Sequence, residues 1–314
     1  MKILVTGAAG FIGFHTCKAL LERGYYVIGV DNLNDYYDPN LKKARLAKLQ
    51  HKNFQFYELD ICDLEGLKKV ANGCARIIHL AAQAGVRYSL ENPHAYIKSN
   101  VEGHLNILEL ARATEHMVYA SSSSVYGMND KVPFSVADSV DKPANIYAAT
   151  KRADELMSYA YHNLYKTPMI GLRFFTVYGE WGRPDMAPMK FTKKIFENQA
   201  IEIYNHGNMR RDFTYIDDVV AGIIAAVELK GYVGNKLYNI GNNQPVDLLR
   251  FIELLEDEIG KKATRQYLPM QQGEVPETYA DITESTQDLG FNPATAIEVG
   301  VKRLIKWYRE YYRV

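Results

Sequence analysis

Short apolar runs rich in β-branched residues alternate with segments of helical periodicity through the first half of the chain. Helical patterns cover residues 11–23, 38–50 and 94–113. The apolar runs that flank them read, in order, KILVT, YVIGV, FQFYEL, ARIIHL, HMVYA and MIGLRFF. Strands separated by helices predict an α/β fold with a parallel, doubly wound sheet. The near-continuous apolar character of these strands fits a sheet that is covered on both faces.

The pattern changes near residue 177, where a loop containing Gly, Pro and Trp begins, VYGEWGRPDMAP. Shorter mixed segments follow, and a last helical pattern, AIEVGVKRLIKWYREYY, lies close to the C-terminus. We therefore expect a first domain over 1–176 and a smaller α/β domain over 177–314. Residues 213–245 are expected to return to the first domain.

Composition bears on the kind of partner. Among 314 residues, basic and acidic side chains both number 37, so the net charge suggests no non-specific attraction to nucleic acid or a membrane. The longest apolar run, 219–229, is far too short to span a bilayer, and we expect a soluble cytoplasmic protein. Three cysteines without a CxxC pair, and eight histidines without helical spacing, predict no metal site.

A glycine pattern directly follows the first strand. In GAAGFIG, Gly7, Gly10 and Gly13 are spaced as GxxGxxG between a strand and a helix. Glycines there permit a tight turn and let backbone N–H groups approach a pyrophosphate at the helix N-terminus. The pattern alone also fits a flexible loop, but its strand–turn–helix context favours a dinucleotide site.

Asp31 ends the second strand, 18 residues after Gly13. A carboxylate at this place accepts hydrogen bonds from the adenosine ribose and repels a 2′-phosphate, which predicts NAD rather than NADP. The alternative role for Asp31 is to cap the turn at the strand end. Lys42, Lys43 and Arg45 offer positive charge for a phosphate, but their helical spacing is more typical of a solvated face.

Tyr147 and Lys151 lie four residues apart in NIYAATK and share one face of a predicted helix. A second pair with the same spacing, Tyr232 and Lys236, shows that the spacing alone is weak evidence in a chain with 23 tyrosines. The first pair is distinguished by a serine cluster 25 residues earlier, in YASSSSVYG at the end of a strand.

Six motifs together resemble the extended short-chain dehydrogenase/reductase proteins that act on nucleotide sugars. They are TGAAGFIG, HLAAQAGV, SSSSVYG, YAATK, LRFFTVYG and RRDFTYIDD, and they occur in the family's order over nearly the whole chain. The resemblance implies a Rossmann fold with a smaller C-terminal substrate-binding domain, and NAD as cofactor. It also implies a homodimer formed through helices at 94–113 and 146–164, which carry many apolar and aromatic residues.

The resemblance also implies roles for single residues. By it, Tyr147 is the acid/base, Lys151 its activator and Ser122 the hydroxyl that binds the reacting sugar oxygen. An ordinary phenol, with a pKa of about 10, is a poor base at neutral pH, but an adjacent ammonium and an oxidised nicotinamide favour the phenolate. The other implied cofactor-binding residues are Gly7, Gly10, Phe11, Ile12, Gly13, Asp31, Asn32, Asp60, Ile61, Leu80, Ala81, Ala82 and Asn100.

Hydroxyls in the serine cluster discriminate between reactions. Related 4,6-dehydratases carry Thr-Asp-Glu at the positions of Ser122, Ser123 and Ser124, and related UDP-glucuronate decarboxylases carry Glu at the last of these. Hydroxyls are poor acid/base groups at neutral pH, so both reactions are disfavoured. What remains is oxidation at C4, reorientation of the keto intermediate and return of the hydride to the other face, which is 4-epimerisation.

Segments 31–49 and 173–187 are similar to UDP-glucuronate 4-epimerases. Oxidising C4 of a glucuronate gives a β-keto acid, which loses CO₂ if its carboxylate bond aligns with the carbonyl π-system. We expect Ser123, Ser124 and Thr176 to hold the carboxylate out of that alignment by hydrogen bonding. The alternative role of these hydroxyls is to satisfy backbone groups at the strand end. The arginines expected nearby are Arg87 or Arg183 at the carboxylate and Arg211 at the diphosphate.

Two other interpretations stay open. One is another sugar-nucleotide enzyme of the same family, either a neutral-sugar 4-epimerase or a decarboxylase with an unusual site. The other is a non-catalytic regulator that binds NAD. The complete set of Ser122, Tyr147 and Lys151 disfavours the regulator, which has no need of it.

Overall fold

The computed structural model describes residues 1–271 and 275–314. The strands in this part of the chain are β1 (Lys2–Thr6), β2 (Tyr26–Asp31), β3 (Phe54–Glu58), β4 (Arg76–His79), β5 (His116–Ser122), β6 (Met169–Phe174), β7 (Thr176–Tyr178), β8 (Ile201–Ile203), β9 (Arg210–Tyr215), β10 (Asn235–Ile240), β11 (Pro245–Asp247) and β12 (Arg265–Tyr267).

The helices, in chain order, are α1 (Phe11–Glu22), α2 (Pro39–Ala47), α3 (Leu64–Val70), α4 (Tyr88–Glu91), α5 (Pro93–Tyr96), α6 (Gly103–Ala111), α7 (Ile146–Tyr165), α8 (Ala187–Phe196), α9 (Ile216–Glu228), α10 (Leu248–Ile259), α11 (Thr283–Leu289) and α12 (Ile297–Tyr312). A π-helical segment, Ile97–Glu102, joins α5 to α6, and a 3₁₀ turn, Ser123–Tyr126, follows β5. Within the described ranges, no helix combines the length and apolar character needed to cross a membrane.

Seven strands form one parallel sheet in the order β3-β2-β1-β4-β5-β6-β10. The central strand β1 carries three consecutive, fully buried side chains, Ile3, Leu4 and Val5. Because alternate residues of a strand face opposite sides, such a run means that both faces of the sheet are covered. The doubly wound α/β fold predicted from the hydrophobic pattern is confirmed.

The strand order reverses at β1, which pairs with β2 on one side and with β4 on the other. Chain segments that leave the carboxyl ends of these neighbours diverge to opposite sides, and the crevice between them is where ligands bind in open α/β sheets. Thr6 and His79 are register partners at the carboxyl ends of β1 and β4. The glycine loop that follows β1 therefore lies at the mouth of this crevice.

The helical pattern over 94–113 is not one α-helix. It divides into α5, the π-helical segment and α6. The side chain of Asn100, inside the π-helical segment, is buried and exchanges hydrogen bonds with the backbone of Gln83, at 2.8 Å as acceptor and 3.0 Å as donor. A π-helical turn inserts an extra residue and changes where the following side chains point. Helical periodicity could not predict this interruption, because the interruption depends on the contact between the buried Asn100 amide and the backbone of Gln83, 17 residues earlier.

The chain after residue 177 builds smaller sheets. Strands β7, β9 and β11 form one of them, and β8 pairs with β12. Between these segments β10 pairs with β6 as an outer strand of the large sheet, and α9 packs against α1. The division into domains at residue 177 stays a prediction.

Candidate active site

A cavity of about 580 Å³ opens at the carboxyl edge of the large sheet and extends to the smaller sheets. Asp60 and Asn100 are not part of its lining, whereas the other candidate residues all line it. On the side of the glycine loop these are Gly7, Gly10, Phe11, Ile12, Gly13, Asp31, Asn32, Ile61, Leu80, Ala81 and Ala82. Further along they are Arg87, Ser122, Ser123, Ser124, Tyr147, Lys151, Thr176, Arg183 and Arg211.

Gly7 and Gly13 of the glycine loop have no room for a side chain. Gly7 has a φ of +71°, and a Cβ on it would lie 2.8 Å from the backbone nitrogen of Ala81. A Cβ on Gly13, inside α1, would lie 1.9 Å from the carbonyl oxygen of Gly7. The Gly10 N–H donates to that same oxygen at 2.9 Å and closes the turn where α1 begins. The loop therefore offers a bare backbone cradle at a helix N-terminus, which fits the pyrophosphate of a dinucleotide.

Asp31 lies beside this cradle at the end of β2. Its carboxylate accepts the N–H of Ala9 at 3.2 Å and that of Leu33 at 2.9 Å. Burial raises the pKa of Asp31 above its ordinary value, although these bonds and the nearby Lys42 act in the opposite direction. The carboxylate is thus oriented from the loop into the cavity, as ribose recognition requires.

Asp60 acts behind the cavity lining. It accepts hydrogen bonds from the side chain of Asn32 at 2.9 Å and from the N–H of Cys62 at 2.8 Å. Burial acts to raise the pKa of Asp60, but these donors outweigh it and hold the pKa below its ordinary value. Asp60 therefore positions Asn32, which itself lines the cavity.

The charged face of α2 is not solvated as its spacing suggested. Lys43 is exposed, but Lys42 and Arg45 are buried. Arg45 donates to the carbonyl oxygens of Ala9 at 2.9 Å and Trp181 at 2.6 Å. Lys42 binds backbone and side-chain oxygens of Asn34 and lies 4.0 Å from the carboxylate of Asp31. The expectation of a solvated face was wrong for these two residues because the loop around Trp181 packs onto the helix.

Helix α7 presents Tyr147 and Lys151 to the cavity. Asn145 caps the helix by accepting the N–H of Ala148 at 2.9 Å. One turn further, the buried ammonium of Lys151 donates to the carbonyl oxygen of Ala120 at 2.9 Å. The half-buried Tyr147 lies on the same face of the helix. Helix α7 thus brings the Tyr147 side chain to the same cavity as the Lys151 ammonium, which β5 holds.

The second pair with this spacing has no such setting. Lys236 forms ion pairs with Asp288 and Glu284, and Tyr232 donates to the carbonyl oxygen of Met169 at 3.3 Å. Neither residue lines the cavity. This pair stabilises contacts around β10, so the spacing alone did not identify the site.

The four consecutive serines divide into different roles. Ser121 is buried and donates to the carboxylate of Glu155 at 2.6 Å. Ser122, at the end of β5, accepts the N–H of Ser124 at 3.1 Å, which begins the 3₁₀ turn. Ser123 and Ser124 are partly exposed to the cavity, as is Thr176 on the adjoining β7. Ser121 is therefore bonded within the protein, whereas Ser123 and Ser124 are partly exposed at the cavity.

Arg183 is held by an acid and a tyrosine at the cavity. Its Nε donates to Asp185 at 3.1 Å, and Tyr36 donates to the same carboxylate at 3.1 Å. Burial acts to raise the pKa of Asp185, but Arg183 beside it holds that pKa below its ordinary value. The guanidinium of Arg87 lies 4.9 Å from the centre of the Tyr204 ring.

Arg211 lies at the far end of the cavity, at β9. Its guanidinium donates to the carbonyl oxygens of Arg210 and Pro276, both at 3.0 Å. These contacts fix the guanidinium against the backbone of the smaller sheet, at the end of the cavity away from the glycine loop.

Sequence reasoning missed several polar residues that line the cavity, among them Tyr36, Lys42 as a buried group, Gln83, Asp185 and Tyr204. Four of these five lie within segments whose family resemblance was already apparent, so a signal was present. The motifs do not reveal which of their side chains face the ligand. Tyr204 follows β8, outside these segments, and no pattern singled it out.

In the ranges that the structure describes, no three His, Cys, Asp or Glu side chains are grouped so that they could hold a metal ion.

Replacing Gly13 with Ala tests the cradle. The new Cβ would meet the Gly7 carbonyl, so the loop must move, and we expect NAD affinity to fall at least about tenfold, or ~1.4 kcal/mol. Gly24→Ala is the control, since Gly24 has a φ of +80° and open space around it. It should cost about 1 kcal/mol of stability and leave NAD binding unchanged. Titration calorimetry measures the NAD affinity of the two variants. Wild-type affinity in Gly13→Ala would contradict the assignment.

Comparison with known proteins agrees with this geometry. The model of the NAD dependent epimerase/dehydratase family matches residues 3–241. Protein CapI of Staphylococcus aureus is 49% identical over the full length of both chains. UDP-glucuronate 4-epimerase 4 of Arabidopsis thaliana is 46% identical, with 99% of this chain and 76% of the relative covered.

A solved structure extends the agreement to three dimensions. The crystal structure of UDP-glucuronic acid 4-epimerase from Bacillus cereus, in complex with UDP-glucuronic acid and NAD, superposes with a TM-score of 0.91 at 35% identity. The match covers 99% of this chain and 100% of that one. The resemblance noted from six motifs is thereby confirmed. The chain belongs to the NAD-dependent epimerase/dehydratase family.

Proposed function

We propose that this protein is a UDP-glucuronate 4-epimerase, which interconverts UDP-glucuronate and UDP-galacturonate through a transient 4-keto intermediate. The observation that carries the proposal is the set Ser122, Tyr147 and Lys151 at one cavity, with hydroxyls rather than carboxylates at Ser123 and Ser124. The relative from Arabidopsis thaliana and the solved structure from Bacillus cereus, both named for this activity, support the choice of substrate.

The cofactor is NAD, and the glycine cradle fits it. Bound in this cradle, NAD would supply the hydride chemistry, which is removal of a hydride from C4 of the sugar and its return to the opposite face. The turn between Gly7 and Gly10 would hold the pyrophosphate, and Asp31 would accept the ribose hydroxyls. Asn32, positioned by Asp60, lies beside them.

Tyr147 handles the proton of the reacting hydroxyl. It takes the proton from the C4 oxygen as that carbon is oxidised, and it gives the proton back when the carbon is reduced. The Lys151 ammonium, held by Ala120, favours the phenolate form through its positive charge. Ser122 donates a hydrogen bond to the same sugar oxygen and fixes its direction.

The carboxylate of the substrate must be kept out of line with the C4 carbonyl. Ser123, Ser124 and Thr176 present neutral donors on adjoining elements, and donors of this kind bind an anion without adding an acid/base group. Arg183, already braced by Asp185, lies on the same cavity and supplies positive charge. Arg211 would bind the diphosphate at the other end.

The activity is tested by incubating the purified protein with UDP-glucuronate, without added oxidant or reductant, and following the sugar signals by NMR. We expect UDP-galacturonate as the product. Tyr147→Phe removes one hydroxyl and little volume, so it should abolish turnover while NAD affinity remains. Inversion of UDP-glucose but not of UDP-glucuronate would instead identify a neutral-sugar epimerase, and quantitative formation of UDP-pentose would identify a decarboxylase.

Replacing Ser124 with Ala tests how the carboxylate is held. With one donor lost, the keto acid samples the aligned geometry more often, and the share of UDP-pentose should rise several-fold. Ser121→Ala is the matched control: it removes a serine hydroxyl bound to Glu155, so it should lower stability by about 1 kcal/mol without changing the products. If Ser124→Ala alters neither the by-product nor the affinity for UDP-glucuronate, the assigned role is wrong.

We propose further that the protein is a homodimer formed through α7 and the neighbouring 97–111 segment. Leu156 and Tyr159 lie one turn apart on α7 and are 53% and 58% exposed. Leu164, Leu105 and Ile97 are also exposed. Five exposed large apolar side chains on two neighbouring helices are unusual for a monomer and are typical of a surface that a second copy covers.

Light scattering after size-exclusion chromatography tests the dimer. The wild-type protein should have twice the mass of one chain, and the double variant Leu156→Glu, Tyr159→Glu should have the mass of one, because two charges cannot be buried in an apolar contact. Val233→Glu, which alters an exposed apolar residue outside this surface, should remain a dimer. A wild-type monomer would overturn the proposal.

A further inference from the structure

A second carboxylate lies directly behind the lysine of the candidate site. Asp154 follows Lys151 by three residues on α7, and its Oδ2 lies 3.0 Å from the ammonium nitrogen. The side chains of both residues are almost completely inaccessible to solvent. Lys151 is therefore held from two directions, by the carbonyl oxygen of Ala120 and by the carboxylate of Asp154.

The neighbouring acid does not share this contact. Glu155 is occupied by Arg173, with two hydrogen bonds of 2.8 Å and 2.9 Å, and by Arg152. Asp154 is thus the carboxylate that balances the charge of Lys151 within the described part of the chain.

Apart from its contact with Lys151, the carboxylate of Asp154 is poorly satisfied by hydrogen bonds. Its Oδ1 has no hydrogen-bond partner among the described residues. A buried, ionised carboxylate with one bare oxygen costs free energy, and protonation relieves that cost. Burial raises the pKa of Asp154 to about 7, even though Lys151 acts in the opposite direction. Protonation of Asp154 therefore removes the charge opposite Lys151.

The histidines and the tyrosine around this pair are neutral near pH 7. From α6, burial lowers the pKa of His104 to about 3, and from β4 burial lowers that of His79 well below its ordinary value. From β5, burial raises the pKa of Tyr119, whose hydroxyl lacks a hydrogen-bond partner in the described ranges. Glu155, on the helix itself, is ion-paired. Lys151 is consequently the cation that responds to Asp154.

We propose that Asp154 is a positioning residue that holds Lys151 and moderates its charge, so that its protonation state sets how strongly the ammonium favours the Tyr147 phenolate. This inference rests on the proposed acid/base role of Tyr147. As the pH rises, Asp154 loses its proton, the ammonium becomes balanced, and the phenolate is favoured less. As the pH falls, the balance is removed and the phenolate is favoured more.

Asp154→Asn tests the proposal, because it keeps the shape of the side chain and removes its charge. Loss of a nearby negative charge makes it easier for both the phenol and the ammonium to release a proton. We therefore expect the alkaline limb of the kcat against pH profile, where Asp154 of the wild-type protein is ionised, to move to lower pH by roughly half to one unit. A residue with only a structural role would lower the amplitude of the profile and leave both limbs in place.

Asp141→Asn is the matched control. Asp141 is exposed, and its Oδ1 lies 3.7 Å from a guanidinium nitrogen of Arg152 on α7. This variant therefore removes one negative charge outside the cavity. Its profile should coincide with that of the wild-type protein. If Asp154→Asn also coincides with the wild type along the pH axis, whatever its amplitude, the proposal is wrong.

A measurement on the unaltered protein covers the case in which the Asn variant does not fold. With ¹³C-labelled aspartate, a carboxyl signal should titrate near neutral pH. Absence of such a signal overturns the proposal. This readout needs no substrate, so it separates a failure of the Asp154 assignment from a failure of the proposed activity.

Discussion

The physical constraint at the centre of the cavity is the buried ammonium group of Lys151. In the protein interior a charge acts much more strongly than it does in water, so its position decides which neighbouring groups ionise. That position is set by three independent features: the helical spacing from Tyr147, the carbonyl group of Ala120 at the end of β5, and the carboxylate of Asp154. The parallel sheet matters to function because it brings α7 and β5 together at this point.

Much of the fold could be predicted because its signals are local. The six apolar runs became β1 to β6 with ends within two residues of those expected, since a strand buried on both faces leaves an uninterrupted apolar run in the sequence. The glycine loop was also predictable, because part of its spacing reflects a local contact, the one between Gly7 and Gly13.

What could not be predicted depends on contacts between distant parts of the chain. Arg45 is buried because the loop at Trp181, 136 residues away, packs onto α2 and offers its carbonyl oxygens. Tyr36 reaches Asp185 across 149 residues. In the same way, nothing in the spacing distinguishes Asp154, which balances the lysine, from Glu155, which pairs with an arginine of β6. Periodicity places a residue on a face but does not reveal what that face meets.

Epimerisation of UDP-glucuronate in D₂O tests most directly whether a hydride leaves and re-enters one sugar carbon. If Tyr147 moves only the hydroxyl proton, the hydrogen on C4 never exchanges with solvent, and UDP-galacturonate should carry no deuterium at C4 or C5 by NMR and mass spectrometry. Deuterium at C4 would mean that the hydrogen of this carbon left as a proton and exchanged with solvent, and was not carried as a hydride. That result would contradict the mechanism derived from this cavity.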